Sequence, residues 1–350
     1  MNKLFRRDFF KKTGLALLAS GISLPKTTLI AAMPEIAPTL RKASRLCTGA
    51  TVALIAPCSP PSDDKLANAI RNLTMLGLRV VEGKSLRSRL GYLAGDDDTR
   101  LADLHWAFRD PAVDVVWCVR GGYGAGRLLP RIDFSLIRQH PKPFIGYSDV
   151  TALHLAIHSR TGLVTFHGPV AASDMPENTL HHLRSVLMEG VDSHVIAAPV
   201  SDFPGEEFRP FTITPGNARG GLTGGNLSLL SSLVGTAFAP VFRDKIVFIE
   251  DVGEQPYRLD RMLTQLLQGS DLSRAAGIAL GVFSDCQPKP DSPSQSLPEM
   301  LRERLGNLGV PVVYGLPFGH VSYQATLPYG IEAALDATNQ KLTLLSPAVH

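Results

Sequence analysis

The sequence predicts an α/β fold in two parts, and three of its features carry that prediction. Short apolar runs of strand length alternate with amphipathic stretches of helical spacing, and they do so twice. A stretch broken by Pro199, Pro204, Pro210 and Pro215 separates the two sets. The 350 residues leave room for two domains with cores of their own, and 44% hydrophobic against 19% charged residues excludes a disordered chain.

The first set opens at 51–56 (TVALIA), an apolar strand closed by Pro57, followed by a helix over 63–76 and a strand over 79–81. Asp96, Asp97 and Asp98 open a helix that runs through Phe108, because carboxylates are favoured at the positive end of the helix dipole. A buried strand at 113–119 then runs into the glycine-rich loop 120–127 (RGGYGAGR). The strand over 142–147 meets a helix over 149–159 with no loop between them, and a strand at 163–166 ends the set. Strands this uniformly apolar predict a parallel sheet covered on both faces. A helix at 178–188 and the prolines form a connection. The second set holds 220–225, a helix over 227–234, a strand over 245–250, a helix over 257–267, a strand over 277–283, a helix over 297–305, and strands near 312–314 and 330–335. The expected boundaries are therefore 46–175 for the first domain, 176–215 for the connection and 216–345 for the second.

Residues 1–32 read as an export signal. Six basic side chains (Lys3, Arg6, Arg7, Lys11, Lys12, Lys26) stand there against Asp8 alone, so the rest of a chain with net charge +3 is slightly acidic. That removes the electrostatic footprint of a nucleic-acid or anionic-membrane binder. The apolar run 14–24 is shorter than the roughly 20 residues a bilayer span needs. Arg6-Arg7 followed by Asp8, Phe9, Phe10 and Lys11 resembles the twin-arginine signal, with Phe5 where that pattern has Ser or Thr; a Sec signal with two chance arginines is the other reading. The expectation is a periplasmic protein exported already folded by the twin-arginine machinery. Folding before export agrees with the cysteines: Cys47, Cys58, Cys118 and Cys286 form no C-x-x-C pair, and Cys118 and Cys286 sit in apolar runs as small hydrophobes.

The sharpest local signal is Phe144-Ile145-Gly146-Tyr147-Ser148-Asp149, where a strand meets a helix at a serine. A nucleophile elbow has this setting, with the N–H of Asp149 at a helix start where an oxyanion would form. G-x-S-x-G is not matched, since residue 150 is Val, and a serine capping the helix fits the same local pattern. A nucleophilic serine needs a base and a group to orient it. His154 and His158 have the i, i+4 spacing of metal ligands, but Leu155 stands where H-E-x-x-H has Glu, so a helix-surface or core role is expected and no metal. His167 ends a strand, and His320 lies in a loop. The strand 245–249 ends in Glu250-Asp251-Val252-Gly253-Glu254, which places acids at a strand's carboxyl end; Glu250 is the working candidate and Glu254 a helix cap. The glycine loop lacks the G-x-G-x-x-G spacing, so no dinucleotide cofactor is expected; its glycines would let amides approach a substrate.

Taken together, Leu93-Ala-Gly-Asp96 with Arg100, the run from Arg120 to Leu129, Ile145-Gly-Tyr-Ser-Asp149, Gly225-Asn-Leu227, Ile249 to Glu254 with Tyr257-Arg258 and Asp260-Arg261, and Gly319-His320 resemble the LD-carboxypeptidases of serine peptidase family S66. The resemblance spans about 48–340. It implies Ser148 as nucleophile, His320 as base and Glu250 as its orienting carboxylate, with Asp149 and Gly122 giving oxyanion N–H groups. It also implies a nucleophile domain, a smaller C-terminal α/β domain, an active site in the cleft between them, no cofactor and a homodimer. The implied reaction releases terminal D-alanine from the L-centre of meso-diaminopimelate or lysine in peptidoglycan tetrapeptides. Two rivals are a family member acting on a microcin-like peptidyl-nucleotide and a non-catalytic exported muropeptide-binding protein.

Overall fold

The computed structural model describes residues 39–200, 205–290 and 293–350, so residues 1–32, where an export signal was expected, lie outside the described residues. The first sheet is built by β1 (Thr51–Ile55), α1 (Asp63–Met75), β2 (Arg79–Glu82), α2 (Asp97–Arg109), β3 (Val115–Cys118), α3 (Phe134–Gln139), β4 (Phe144–Gly146), α4 (Thr151–Thr161) and β5 (Phe166–His167). The helices begin where the caps say they should. Ser62 accepts from the Lys65 N–H at 3.3 Å and Asp96 from the Thr99 N–H at 2.7 Å, so Asp96 caps α2 and does not enter it. Between Gly146 and α4 the chain makes a 3-10 turn over Ser148–Val150, where a helix from 149 was expected. Residue 163 stands outside β5 because it bridges Arg41 instead.

The second sheet follows α5 (Glu177–Leu183), which continues as a π-helical turn over Arg184–Glu189. It comprises β6 (His194–Ala197), β7 (Phe211–Thr214), β8 (Asn217–Asn226), α6 (Leu227–Ser232), β9 (Lys245–Val252), α7 (Pro256–Gly269), β10 (Gly277–Ser284), α8 (Leu297–Leu305), β11 (Val312–Tyr314), β12 (Leu327–Pro328), β13 (Glu332–Asp336) and β14 (Lys341–Leu344), except that β12 leaves it. The strand orders are β12-β5-β4-β3-β1-β2 and β6-β14-β13-β8-β9-β10-β11-β7. The first sheet is parallel as expected, apart from β12, which returns from the C-terminal half and pairs antiparallel with β5, Leu327 opposite His167 and Pro328 opposite Phe166. A proline fits there because β12 is an edge.

The segment 176–215 crosses between the sheets and also supplies both edges of the second, β6 against β14 and β7 against β11. Prolines flank these strands without interrupting a ladder, so the composition of a connection conceals them. In the middle of that sheet β8 pairs parallel with β9 although it carries Gly220, Gly221, Gly224 and Gly225. At Gly224 the reason is close approach: φ is +144°, and a Cβ would lie 1.8 Å from the Phe248 carbonyl oxygen of β9. The pairing brings Asn226 opposite Glu250, which places the carboxyl end of β9 beside the start of α6.

Gly224→Ala should therefore destabilise the fold by more than about 2 kcal/mol, through both strain and overlap with backbone. Gly126→Ala, whose Cβ would meet nothing within 4 Å, should stay within about 0.5 kcal/mol. Urea unfolding midpoints of the two variants check the contrast.

Candidate active site

At the end of β4 the chain turns so sharply that Ser148 adopts φ +65°, the left-handed region that costs an L-residue roughly 1–2 kcal/mol. The cap position of the turn belongs to Tyr147 and no side chain caps it, so the serine hydroxyl is free of that duty. It stands 3.1 Å from Nε2 of His320, and Nδ1 of the same ring stands 2.7 Å from Oε2 of Glu250. Serine, imidazole and carboxylate are thus hydrogen-bonded in series, with the serine from the first sheet and the carboxylate from β9 of the second.

Each member is held by its surroundings. Gly319 approaches β9 so closely that a Cβ on it would lie 3.0 Å from the Cβ of Glu250, at φ +113°. Around it, Gln324 donates from Nε2 to the Gly319 carbonyl at 2.7 Å, and Ser284 donates from Oγ to the His320 carbonyl at 3.0 Å. Thr179 of α5 donates to the Ser322 carbonyl and accepts from the Gln324 N–H, and the His320 ring packs on Tyr147 with centroids 4.8 Å apart. The Asp149 N–H opens a 3-10 turn and so has no acceptor within it. The Asp149 side chain accepts from the Ala125 N–H at 2.8 Å, and buried Arg100 donates to the Gly124 carbonyl at 3.0 Å. Two side chains therefore pin the glycine loop beside the nucleophile. Gly121 packs so tightly there that a Cβ on it would sit 2.8 Å from the Ser148 Cβ. Neither the anchoring by Asp149 nor that by Arg100 has a local sequence signal, since both depend on contacts 24 residues away.

The electrostatics favour an ionised Glu250 and a basic His320. Burial pushes the Glu250 carboxyl up, but the imidazole beside it outweighs burial and holds the carboxyl below its ordinary value. Burial pushes His320 down, and the Glu250 charge and hydrogen bond outweigh that and raise it. Asp251, pointing to the other side of β9, is pushed up to about 6 by burial and then by the Glu250 charge; it accepts from the Ser228 N–H and hydroxyl and from Asn226.

The other candidates fall elsewhere. His154 is buried, shares a hydrogen bond between Nε2 and the Gly146 carbonyl at 2.8 Å, and is pushed down to about 3 by burial; His158 pairs with the Leu163 carbonyl at 3.0 Å. His167 is sealed against Tyr147 and Phe248 and does not line the cavity. Glu254 does not cap α7, whose cap position is Gln255, and pairs instead with Arg258 at 3.4 Å. Among the described residues no group of three His, Cys, Asp or Glu is set to hold a metal ion. Ser148 and His320 open onto a cavity of about 710 Å³ that Gly121, Gly122 and Arg120 also line.

A strained serine at a strand's carboxyl end, in line with an imidazole and a buried carboxylate, defines a serine hydrolase of the α/β type. Family models described as the LD-carboxypeptidase N-terminal domain and C-terminal domain match residues 52–168 and 219–335. The chain belongs to the LD-carboxypeptidase family, and is a serine-type carboxypeptidase. It is 46% identical over 309 residues to a probable murein peptide carboxypeptidase of Bacillus subtilis, covering 88% of this chain and 95% of the relative. The crystal structure of a muramoyltetrapeptide carboxypeptidase from Oxalobacter formigenes superposes with a TM-score of 0.73 at 32% identity, over 84% of this chain and 97% of that one. An MccF-like protein from Bacillus anthracis gives 0.76 at 29% identity, over 87% and 99%.

Because Glu250 raises the His320 pKa, and the base form is the neutral ring, kcat/KM should rise as pH increases through that raised value. Glu250→Gln removes the charge that favours imidazolium, so the acid limb should move to lower pH while the plateau falls by roughly a hundred- to ten-thousand-fold. A pH–rate profile of both proteins checks the direction; a limb that moves to higher pH contradicts it.

Proposed function

We propose that this carboxypeptidase removes terminal D-alanine from the L-centre of meso-diaminopimelate or lysine in peptidoglycan tetrapeptides, in turnover or recycling of the cell wall. The observation that carries the reading is the Ser148–His320–Glu250 series opening onto a peptide-sized cavity, and the names of the Bacillus and Oxalobacter relatives support the substrate class. In this reading Ser148 Oγ attacks the carbonyl before D-alanine while its proton passes to His320 Nε2. The Asp149 and Gly122 amides stabilise the oxyanion. His320 returns the proton to the leaving amine as the C–N bond breaks, and water activated by the same ring then hydrolyses the acyl-serine. Glu250 keeps the ring's Nδ1 protonated and stabilises the imidazolium.

Incubation with disaccharide tetrapeptide, and with peptides of inverted terminal stereochemistry, should release D-alanine only from the L,D bond, read by mass spectrometry. Ser148→Ala, His320→Ala and the double variant should lose turnover alike, by roughly a thousand-fold or more, because such residues act as a unit, while excess chelator leaves the wild type unaffected. Undiminished release by Ser148→Ala sinks the mechanism. Cleavage of a peptidyl-nucleotide in place of the tetrapeptide moves the substrate to the rival class, and binding without turnover makes the chain a muropeptide-binding protein.

We also propose that the chain works in the periplasm, exported by the twin-arginine route and acting as a homodimer. The support for export is Arg6-Arg7 ahead of the short apolar run 14–24. Replacing both arginines by lysine should leave precursor in the cytoplasm, as read by fractionation; unchanged export assigns the signal to Sec.

A further inference from the structure

A carboxypeptidase must distinguish a free carboxylate one residue beyond the bond it cuts, a Cα spacing of about 3.8 Å, so a cation has to stand close to the nucleophile. Three cationic side chains line the cavity: Lys65 and Arg71 from α1, and Arg120. The two on α1 are exposed, and Arg71 donates to Asn68 Oδ1 at 3.1 Å. Arg120 differs in three respects. It immediately precedes Gly121, the residue that packs on Ser148, so its backbone is one step from the nucleophile. Its side chain is half-buried. Among the described residues its hydrogen bond is from Nη1 to the Pro60 carbonyl at 3.2 Å, which anchors one arm of the guanidinium and leaves the other donors of the fork to face the cavity. Asp64 and Asp174 also line the cavity, yet neither forms an ion pair with Arg120 among the described residues. A partly desolvated guanidinium without a counter-charge, beside a nucleophile, is matched by a ligand that brings the carboxylate.

We propose that Arg120 receives the terminal α-carboxylate of the substrate and so makes the enzyme an exopeptidase. This rests on the tetrapeptide reading above for the natural substrate. Planar two-point pairing also places the scissile carbonyl: with one end of the last residue held on the guanidinium, its amide falls between Ser148 and the Asp149 and Gly122 amides. A peptide continuing past that residue, or ending in an amide, has no charge to offer and leaves the cation unpaired.

The test compares a tetrapeptide ending in D-alanine with the same peptide ending in D-alaninamide. The wild type should prefer the acid by roughly a thousand-fold or more in kcat/KM. Arg120→Gln should lose about a hundred- to a thousand-fold on the acid, chiefly through KM, and change little on the amide, so that the preference collapses; Arg120→Lys should recover part of it, as a point charge without the fork. Arg71→Gln and Lys65→Gln should keep the preference. Equal losses on acid and amide in Arg120→Gln, or collapse of the preference in Arg71→Gln or Lys65→Gln instead, overturn the proposal. If the wild type releases nothing from the tetrapeptide, the peptidoglycan reading fails separately, and Arg120 is tested by labelling of Ser148 with a fluorophosphonate. Dipeptides with a free carboxylate should then protect the wild type and not Arg120→Gln; equal protection overturns it.

Discussion

The carboxylate of Glu250 is wholly sealed from water, and the site is organised around keeping it ionised there. A buried charge is tolerated only with a partner in good geometry, and losing that partner costs about 3–5 kcal/mol. His320 supplies the partner at 2.7 Å, so the requirement that stabilises the acid also fixes the ring that must face the serine. The coupling works in both directions: the imidazole lowers the acid and the acid raises the imidazole. Stabilisation of the raised His320 is fully present at low pH and fades as pH climbs through its folded value, where the neutral ring takes over as base.

The position of Glu250 comes from the second sheet. β9 runs between the glycine strand β8 and the apolar strand β10, both parallel to it, and its last residues emerge where β8 turns into α6. Asn226 and Ser228 take the neighbouring Asp251, which leaves Glu250 to face the serine side. Two adjacent acids therefore shift in opposite directions: the imidazole holds Glu250 down, whereas burial and the Glu250 charge push Asp251 up against its amide and hydroxyl donors.

The serine side is held by different means. Ser148 keeps an unfavourable backbone angle because β4 is buried on one side of it and α4 on the other, and because Thr151 Oγ1 bonds the Asn226 N–H at 3.1 Å, joining the helix after the serine to the strand before α6. β12 adds a second tie, carrying the chain that follows His320 onto the edge of the first sheet. Precision at the site is therefore a property of the joint between sheets, whose contacts hold Ser148 at its left-handed angle.

The sequence by itself determined the local elements. Unbroken apolar runs made β1, β3, β9 and β10, aspartates and serines at helix starts made the caps, and the strand-to-helix junction at Ser148 marked the elbow, because each of these follows from neighbours within a few residues. The edge strands β6 and β7 escaped that reading, since their ladders are made with partners distant in sequence; β14, the hairpin partner of β13, escaped it too. Local pattern also left His154, His158, His167 and His320 as competitors for the base, and resemblance to a family singled out the last. Only the tertiary structure decided what each does: three are spent on carbonyls or sealed among aromatic rings, and the fourth reaches a serine 172 residues away. No short-range pattern encodes that distance. It is set by how two sheets pack, by the glycines that let backbones close to contact, and by a buried charge that accepts one geometry.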